Sequence, residues 1–120
     1  MKVKQSEVKK ITITELENLD PITVYTEEWQ DEKRSKPDDP YYQGRVTIIF
    51  WDTALTYFWC AMAKPLKEFF INASPSYISD KLLQQSSKKI DKERLHELIN
   101  AVKDAFRELL KKDKSESGNI

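Results

Sequence analysis

The chain offers few side chains of the kinds that perform acid–base or nucleophilic chemistry. It has one histidine, His96, and one cysteine, Cys60. Such chemistry near neutral pH needs a base beside its partner, and histidine is the usual base. We expect His96 to be a solvated residue on a helix flank, and Cys60 to be a buried inert thiol on the strand face of Phe58 and Met62. The sequence therefore predicts no catalytic residue and favours a protein that is not an enzyme.

Metal and nucleotide sites need residue spacings that the chain lacks. No Cys-x-x-Cys or His-x-x-x-His pattern occurs, which excludes the usual zinc sites. The acidic pairs at 31–32 and 38–39 lack the alternation and central glycine of a calcium loop and indicate a solvated charged loop. Glycine occurs only at positions 44 and 118, which cannot form a phosphate-binding loop. We therefore predict no metal and no cofactor.

Aromatic residues remain as the feature that could support function, through binding. Aromatic side chains dominate many protein interfaces, although each one here could instead fill the thin core of a small domain. Tyr41 and Tyr42, beside Pro40 in a polar loop, are the best candidates for surface contact. The predicted partner-binding residues are Tyr41, Tyr42, Trp29, Trp51 and Arg45.

The first half of the chain alternates apolar and polar residues, which predicts strands. Ile11 to Thr14 form a short strand, and Thr14 with Glu17 would then cap one helical turn. The stretch from Pro21 to Trp29 is the second strand.

Two further β-rich stretches, Arg45 to Trp51 and Ala54 to Met62, predict a hairpin with Asp52-Thr53 at its turn. Because successive side chains point to opposite faces, both faces of this hairpin are substantially apolar. We expect helices to cover one face, and the other face to be semi-exposed or used for contact.

Residues 30 to 44 carry charges and two prolines, a composition that neither packs nor pairs. We expect an exposed, mobile loop that displays Tyr41 and Tyr42. The alternative is that the two tyrosines fold back over the sheet beside Trp29 or Trp51.

Three helices are predicted after the hairpin. A short one spans Lys64 to Ala73, and another ends before a polar linker from Gln84 to Lys89. The third is amphipathic, with Asp91 as its cap and Ile90 as a hydrophobic staple. Its apolar stripe, with Leu98, Val102 and Phe106 expected in the core, is formed by Leu95, Leu98, Ile99, Val102, Phe106, Leu109 and Leu110.

These elements predict an α+β fold. A small antiparallel sheet of three to four strands, including the central hairpin, packs against two short helices and one long C-terminal helix. At 120 residues, the chain suits a single domain over 1–120, with flexible ends at about 1–9 and 113–120.

Composition limits the classes of partner. Twenty basic and twenty acidic residues cancel, so no net field attracts the chain to nucleic acid or an anionic membrane. The most apolar stretch, Val46 to Ala63, is interrupted by Asp52, Thr53 and Thr56 and is unlike a membrane helix. With one cysteine and no signal-peptide pattern, the cytoplasm is the expected compartment.

Segments along most of the chain carry a resemblance to known proteins, namely Ile11 to Ile22, Val46 to Ile48, Thr56 to Trp59 with Met62, Glu68 to Phe70, Tyr77, Leu82 and Leu95 to Ala105. These segments resemble small uncharacterised accessory proteins of tailed phages and prophages of enterobacteria and their relatives. The chain departs from their glycine-rich hairpin at Asp52-Thr53 and Cys60-Ala61, and its charged segment before the last helix is short. The resemblance implies a phage origin, assigns no activity and carries over no catalytic residue.

The leading hypothesis is a phage or prophage protein that binds a host protein stoichiometrically, as an inhibitor of host defence or a modulator of host machinery. The alternative is a nucleic-acid binder that stacks bases on the hairpin aromatics, with Lys33, Arg34, Lys36 and Arg45 at phosphates. No membrane partner is expected. The sequence is equally compatible with a monomer and a homodimer, because a sheet edge or apolar sheet face can pair about a two-fold axis.

Overall fold

The structure is a computed structural model that describes residues 1–84, 86 and 89–117. Within these residues, a four-stranded antiparallel sheet with strand order β1-β2-β3-β4 is followed by three helices. This confirms the predicted α+β fold. The elements are β1 (Lys9–Ile13), β2 (Ile22–Gln30), β3 (Tyr42–Phe50), β4 (Thr53–Met62), α1 (Leu66–Asn72), α2 (Pro75–Leu83) and α3 (Lys92–Ser117).

The helices pack on one face of the sheet, which we call the covered face. Alternate strand residues such as Val24, Val46 and Leu55 point to this face and are at most 1% exposed. They form one core cluster with side chains of all three helices. The opposite, open face has no helix packed on it in the described part of the chain. It is formed by Lys10, Thr12, Thr23, Tyr25, Glu27, Trp29, Gln43, Arg45, Thr47, Ile49, Ala54, Thr56, Phe58 and Cys60.

Helix α1 is held at both ends by charged side chains from other elements. Its first residue, Leu66, donates its backbone N–H to Glu28 Oε2 of β2 at 2.7 Å. At its other end, the Lys103 ammonium of α3 donates to the carbonyls of Ile71 (3.1 Å) and Ala73. A carboxylate at the N-terminus and a cation at the C-terminus both complement the helix dipole.

Gly44 lets α1 approach the sheet closely. A Cβ atom at this position would lie 3.1 Å from Met62 Cε and 3.2 Å from Leu66 Cδ1. The first turn of α1 therefore packs directly over the backbone of β3.

Helix α3 supplies the largest share of the core and is longer than predicted. Leu98, Val102 and Phe106 are buried, as expected. The helix continues to Ser117, into the segment predicted to be flexible from 113, whereas residues 118–120 lie outside the described residues. No helix-breaking residue occurs before Gly118, and i,i+3 ion pairs such as Arg107–Asp104 (2.7 Å) support the exposed side.

The predicted helical turn after β1 is wrong. Glu15 has a φ of 61°, which a right-handed helical turn cannot contain. The connection instead runs along the core, where Leu16 and Leu19 are partly buried against it. Burial of these two leucines takes precedence over the capping pattern of Thr14 and Glu17.

The loop between β2 and β3 is shorter and better paired than its composition predicts. It spans residues 31–41, because Gln30 and residues 42–44 belong to strands. Asp31 N–H donates to Tyr41 O at 2.8 Å, and Lys36 and Asp39 exchange two backbone hydrogen bonds of 3.0 Å each. The Asp31 carboxylate also accepts the N–H of Lys33 and Arg34. The prediction that this segment forms no paired structure is therefore wrong. Its backbone pairs because hydrogen bonds to the Asp31 side chain stabilise a local turn.

The turn between β3 and β4 lies one residue earlier than predicted, at Trp51-Asp52. Trp51 has a φ of 55° and is 78% exposed. Its Nε1 donates to Asp20 Oδ2 at 2.6 Å. A positive φ at only the first central residue is the pattern of a type II′ turn, where glycine is usual.

Of the predicted linker from 84 to 89, residues 85, 87 and 88 lie outside the described residues. The helix before it ends at Leu83, where we expected it to end. That helix starts at Pro75, with the Ser74 side chain accepting the N–H of Tyr77 at 3.1 Å.

Phe106→Ala should lower the free energy of unfolding by roughly 3–5 kcal/mol, the usual cost of truncating a large core side chain. Phe106 is 0% exposed and its ring packs edge to face on Phe70, with centroids 5.2 Å apart. Chemical denaturation measures the change, and Lys112→Ala on the exposed side of α3 is the control. A loss below about 1 kcal/mol would show that α3 is peripheral.

Lys103→Met should destabilise the protein by roughly 1–3 kcal/mol at neutral pH, because two carbonyl groups at the end of α1 lose their donor. Burial, and then the nearby Arg107 charge, lower the pKa of Lys103 from its ordinary value of 10.5. Between that lowered pKa and 10.5, the unfolded chain binds a proton that the folded protein has released. The stability of the wild type relative to Lys103→Met should therefore rise with pH across this window. Denaturation at a series of alkaline pH values, with Lys112→Met as control, tests the direction, and a falling difference would contradict it.

Trp51→Gly should be more stable than Trp51→Ala by roughly 1 kcal/mol, the reverse of the usual order at strand positions. Both substitutions remove the indole and its bond to Asp20, so they differ only in the backbone cost of a positive φ. Thermal or chemical denaturation of the pair measures this cost. Equal stabilities would show that the turn relaxes without strain.

Candidate functional site

The open face carries an aromatic pair that spans three strands. Trp29 of β2 and Phe58 of β4 stack above β3, with ring centroids 5.7 Å apart and planes inclined by 21°. Trp29 remains 43% exposed although it belongs to this pair. A large aromatic surface therefore faces solvent at one end of the open face.

A cation and a polar frame surround the aromatic pair. The Arg45 guanidinium lies 5.5 Å from the Phe58 ring centroid and donates from Nη1 to Glu27 Oε2 at 2.9 Å. Gln43 accepts from Trp29 Nε1 at 2.6 Å and donates to the Cys60 carbonyl at 3.2 Å. We call Trp29, Phe58, Arg45, Gln43 and Glu27 the open-face cluster. The hydrogen bond to Gln43 fixes the orientation of the Trp29 indole, and the Phe58 ring stacks on it.

The structure brings together only part of the predicted contact set. Trp29 and Arg45 lie in the open-face cluster. Tyr41 lies in the adjacent loop, where Arg34 Nη1 donates to its hydroxyl at 3.4 Å. Tyr42 is the register partner of Met62 and is partly buried against the core cluster on the covered face. The two neighbouring tyrosines therefore do not form one displayed pair.

Trp51 lies at the other end of β3 from the open-face cluster. Trp29 opposes Gln43 near the start of the strand, so about eight residues, or about 27 Å, separate the two tryptophans along it. Below Trp51 is a small cavity of about 40 Å³ with Leu19, Phe50 and Leu95 in its wall. A single compact partner site cannot be centred on both tryptophans.

Phe58 and Gln43 belong to the cluster but were absent from the predicted set. Alternation along β3 could have placed Gln43 on the same face as Arg45, with Gly44 between them on the other face. Alternation along β4 could have placed Phe58 on the face opposite to Trp59, which is that of Arg45. The hairpin register was needed to show that Arg45 opposes Phe58 directly. With the turn one residue later, as the sequence suggested, Arg45 would have opposed Cys60 instead.

Cys60 is exposed, so the prediction of a buried thiol is wrong. It shares the open face with Phe58, but a bulge between Trp59 and Met62 turns Met62 to the covered face. Because no described helix covers the open face, Cys60 faces solvent.

His96 is half-buried rather than solvated, because it contacts α2. Its Nε2 lies 3.4 Å from Ser79 Oγ, which donates to the Ser76 carbonyl at 3.0 Å. Ser79 is only 1% exposed, so a substrate cannot reach this hydroxyl while α2 and α3 stay packed. The contact joins two helices and has the geometry of a packing interaction.

A cleft of about 670 Å³ adjoins the open-face cluster at the C-terminal end of β2, beyond the residues that pair with β1. Its wall contains Trp29, Glu27 and residues of the N-terminal segment. Lys67 also lines it. Burial, and then repulsion from Lys9, lower the pKa of Lys67, while Glu28 and Asp113 oppose the change. The candidate surface thus continues from the open face around the edge of the sheet.

Residues 1–84, 86 and 89–117 form neither a metal centre nor a helix that crosses a membrane. These residues contain no group of three or more His, Cys, Asp or Glu side chains placed to hold a metal ion. None of the helices they form has the length and apolar character needed to cross a membrane.

Comparison with known proteins gives a family. No curated protein and no solved structure matches the chain. A family model described as a phage family matches residues 1–118, almost the whole length. This match agrees with the phage origin that the resemblance implied. The chain therefore belongs to the phage family Phage_phiTE_072.

Proposed function

We propose that this phage protein acts stoichiometrically by binding a host protein through the open face of its sheet. The observation that carries the proposal is the open-face cluster, in which a stacked tryptophan and phenylalanine face solvent beside an oriented arginine. Tryptophan and arginine are among the residues most enriched at the energetic centres of protein interfaces.

Packing of the core does not explain the position of the cluster. The core lies on the covered face, and no helix in the described part of the chain contacts the open face. A partner that covers the Trp29–Phe58 pair removes apolar area from water, at about 25 cal/mol per Å². The Arg45–Glu27 pair at the rim supplies polar contacts and orientation.

The positions of Ser79, His96 and Cys60, whose side chains are of types used in catalysis, favour binding over catalysis. Ser79 and His96 form a buried helix contact, and Cys60 lies on the open face with no described basic group bonded to its thiol. The protein we propose is a non-enzymatic accessory protein of a phage of enterobacteria or their relatives. It would act in the cytoplasm of the host, by inhibiting a defence system or redirecting host machinery.

The second candidate is binding of single-stranded nucleic acid on the same face. Stacked aromatics with an arginine are a platform on which bases stack. The charges do not favour it, because Arg45 is already paired with Glu27 and the loop cations Lys33, Arg34 and Lys36 lie between two acidic pairs, at 31–32 and 38–39. This candidate therefore ranks below a protein partner.

Trp29→Ala should reduce recovery of a specific host protein from nuclease-treated enterobacterial lysate by at least about tenfold, the effect of losing a residue at an energetic centre. The wild-type chain and variants are immobilised in equal amounts, and bound proteins are quantified by mass spectrometry. Trp51→Gly is the matched control, because it removes a more exposed tryptophan about 27 Å away along β3. Thermal unfolding shows that both variants are folded.

A protein retained equally by all three chains would move the contact away from the open face, and no specific protein at all would contradict the proposal. Quenching of tryptophan fluorescence by a single-stranded oligonucleotide at low salt, lost in Trp29→Ala, would favour the nucleic-acid candidate instead.

A further inference from the structure

The two edges of the sheet differ in how they are protected against pairing with another strand. β1 has five residues and begins with Lys9 and Lys10, so it is both short and charged. β4, at the other edge, has ten residues and contains no charged residue and no proline. Short length, lysine and proline are the usual means of blocking an edge strand. From Thr53 to Phe58, β4 uses none of them, and its bulge lies beyond this stretch, between Trp59 and Met62.

The register shows which groups of β4 are free to pair. The turn closes on the Phe50–Thr53 pair, and bonded and non-bonded pairs alternate from there. The backbone N–H and C=O groups of Ala54, Thr56 and Phe58 therefore point away from β3. Among the described residues, the backbone of residues 54–62 has no backbone hydrogen-bond partner outside β3.

We propose that β4 pairs antiparallel with β4 of a second copy of this chain, about a two-fold axis. The pairing joins two four-stranded sheets into one sheet of eight strands. It goes beyond the proposed host-protein contact, because it uses the edge of the sheet and leaves Trp29, Gln43 and Arg45 of the open-face cluster accessible, with only Phe58 at the shared edge.

A second copy fits this edge for three reasons. The strand carries no charge, so nothing in it repels an identical strand. A two-fold antiparallel pair satisfies the outward groups of both copies and closes, which prevents further growth at this edge. The side chains that flank the edge are large and apolar on both faces, with Phe58 on the open face and Tyr57 on the covered face.

Helix α2 adds contact area next to the edge. The Lys81 ammonium lies 5.6 Å from the Tyr57 ring centroid and 5.5 Å from that of Tyr77, which is 38% exposed. A strand pair alone buries less than a standard interface of roughly 1,600 Å² in total, so these flanking rings are needed for a stable dimer.

The outward groups predict the register. Because Thr56 is central among Ala54, Thr56 and Phe58, the axis passes beside Thr56, and Ala54 opposes Phe58 of the second copy. Cys60 then lies eight residues along the paired strands from Cys60 of the second copy, a separation of about 27 Å.

The full chain should be a dimer by size-exclusion chromatography with light scattering at about 100 µM, a concentration that detects weak association. Thr56→Lys places two ammonium groups directly opposite each other at the axis and should raise the dissociation constant at least tenfold. Thr56→Val, the matched control, removes the same hydroxyl without adding charge and should stay dimeric.

Ala54→Pro is an independent variant in case Thr56→Lys does not fold. It removes an outward N–H at an exposed position without removing a bond to β3, and it should also give monomers. A spin label on Cys60, the only cysteine, should give an intermolecular distance near 27 Å, broadened by the label tether.

A wild-type monomer at this concentration would overturn the proposal. So would a dimer that persists in folded Thr56→Lys or Ala54→Pro, or one that Thr56→Val disrupts as strongly as Thr56→Lys. These outcomes are distinguishable from those of the lysate experiment, because Ala54 and Thr56 lie outside the open-face cluster and Trp29 and Trp51 lie outside β4.

Discussion

The charges at the two ends of α1 hold the fold together. A seven-residue helix is too short to be stable through its own hydrogen bonds. Glu28 reaches its first N–H from the sheet, and Lys103 reaches its last carbonyls from α3. These two contacts connect the sheet, α1 and α3 across long distances in sequence. Since Gly44 carries no Cβ, the first turn of α1 lies close to β3 where Glu28 reaches it.

The one-sided packing that follows determines which aromatic side chains of the sheet remain exposed. All three helices contribute their apolar side chains to the covered face. The alternate strand residues remain on the open face, where Trp29 is ordered by its hydrogen bond to Gln43 and by stacking on Phe58. A single alternation of residues thus produces both the buried covered face and the exposed aromatic groups of the open face.

Much of the architecture could be predicted from the sequence, because local patterns determine it. The alternation in β2 to β4 and the stripe of α3 identify their elements and the core residues Leu98, Val102 and Phe106. Features that depend on long-range geometry could not be predicted. The capping of α1 by Glu28 and Lys103, the bulge that separates Cys60 from Met62, and the turn at Trp51 leave no local signal. Tyr42 shows the difference, because its alternation with Val46 and Ile48 places it on the covered face only once β3 is extended past Gly44.

The order of the strands has a consequence for how the protein folds during synthesis. Each strand pairs with its neighbour in the chain, so the hairpins need only local loop closure and can form early. The helices that cover the sheet all follow β4, and α3 is the last of them. A nascent sheet would therefore present its apolar side to the cytosol until the ribosome has released α3. In that interval the growing chain exposes apolar surface of the kind that chaperones bind, and packing of α3 covers it.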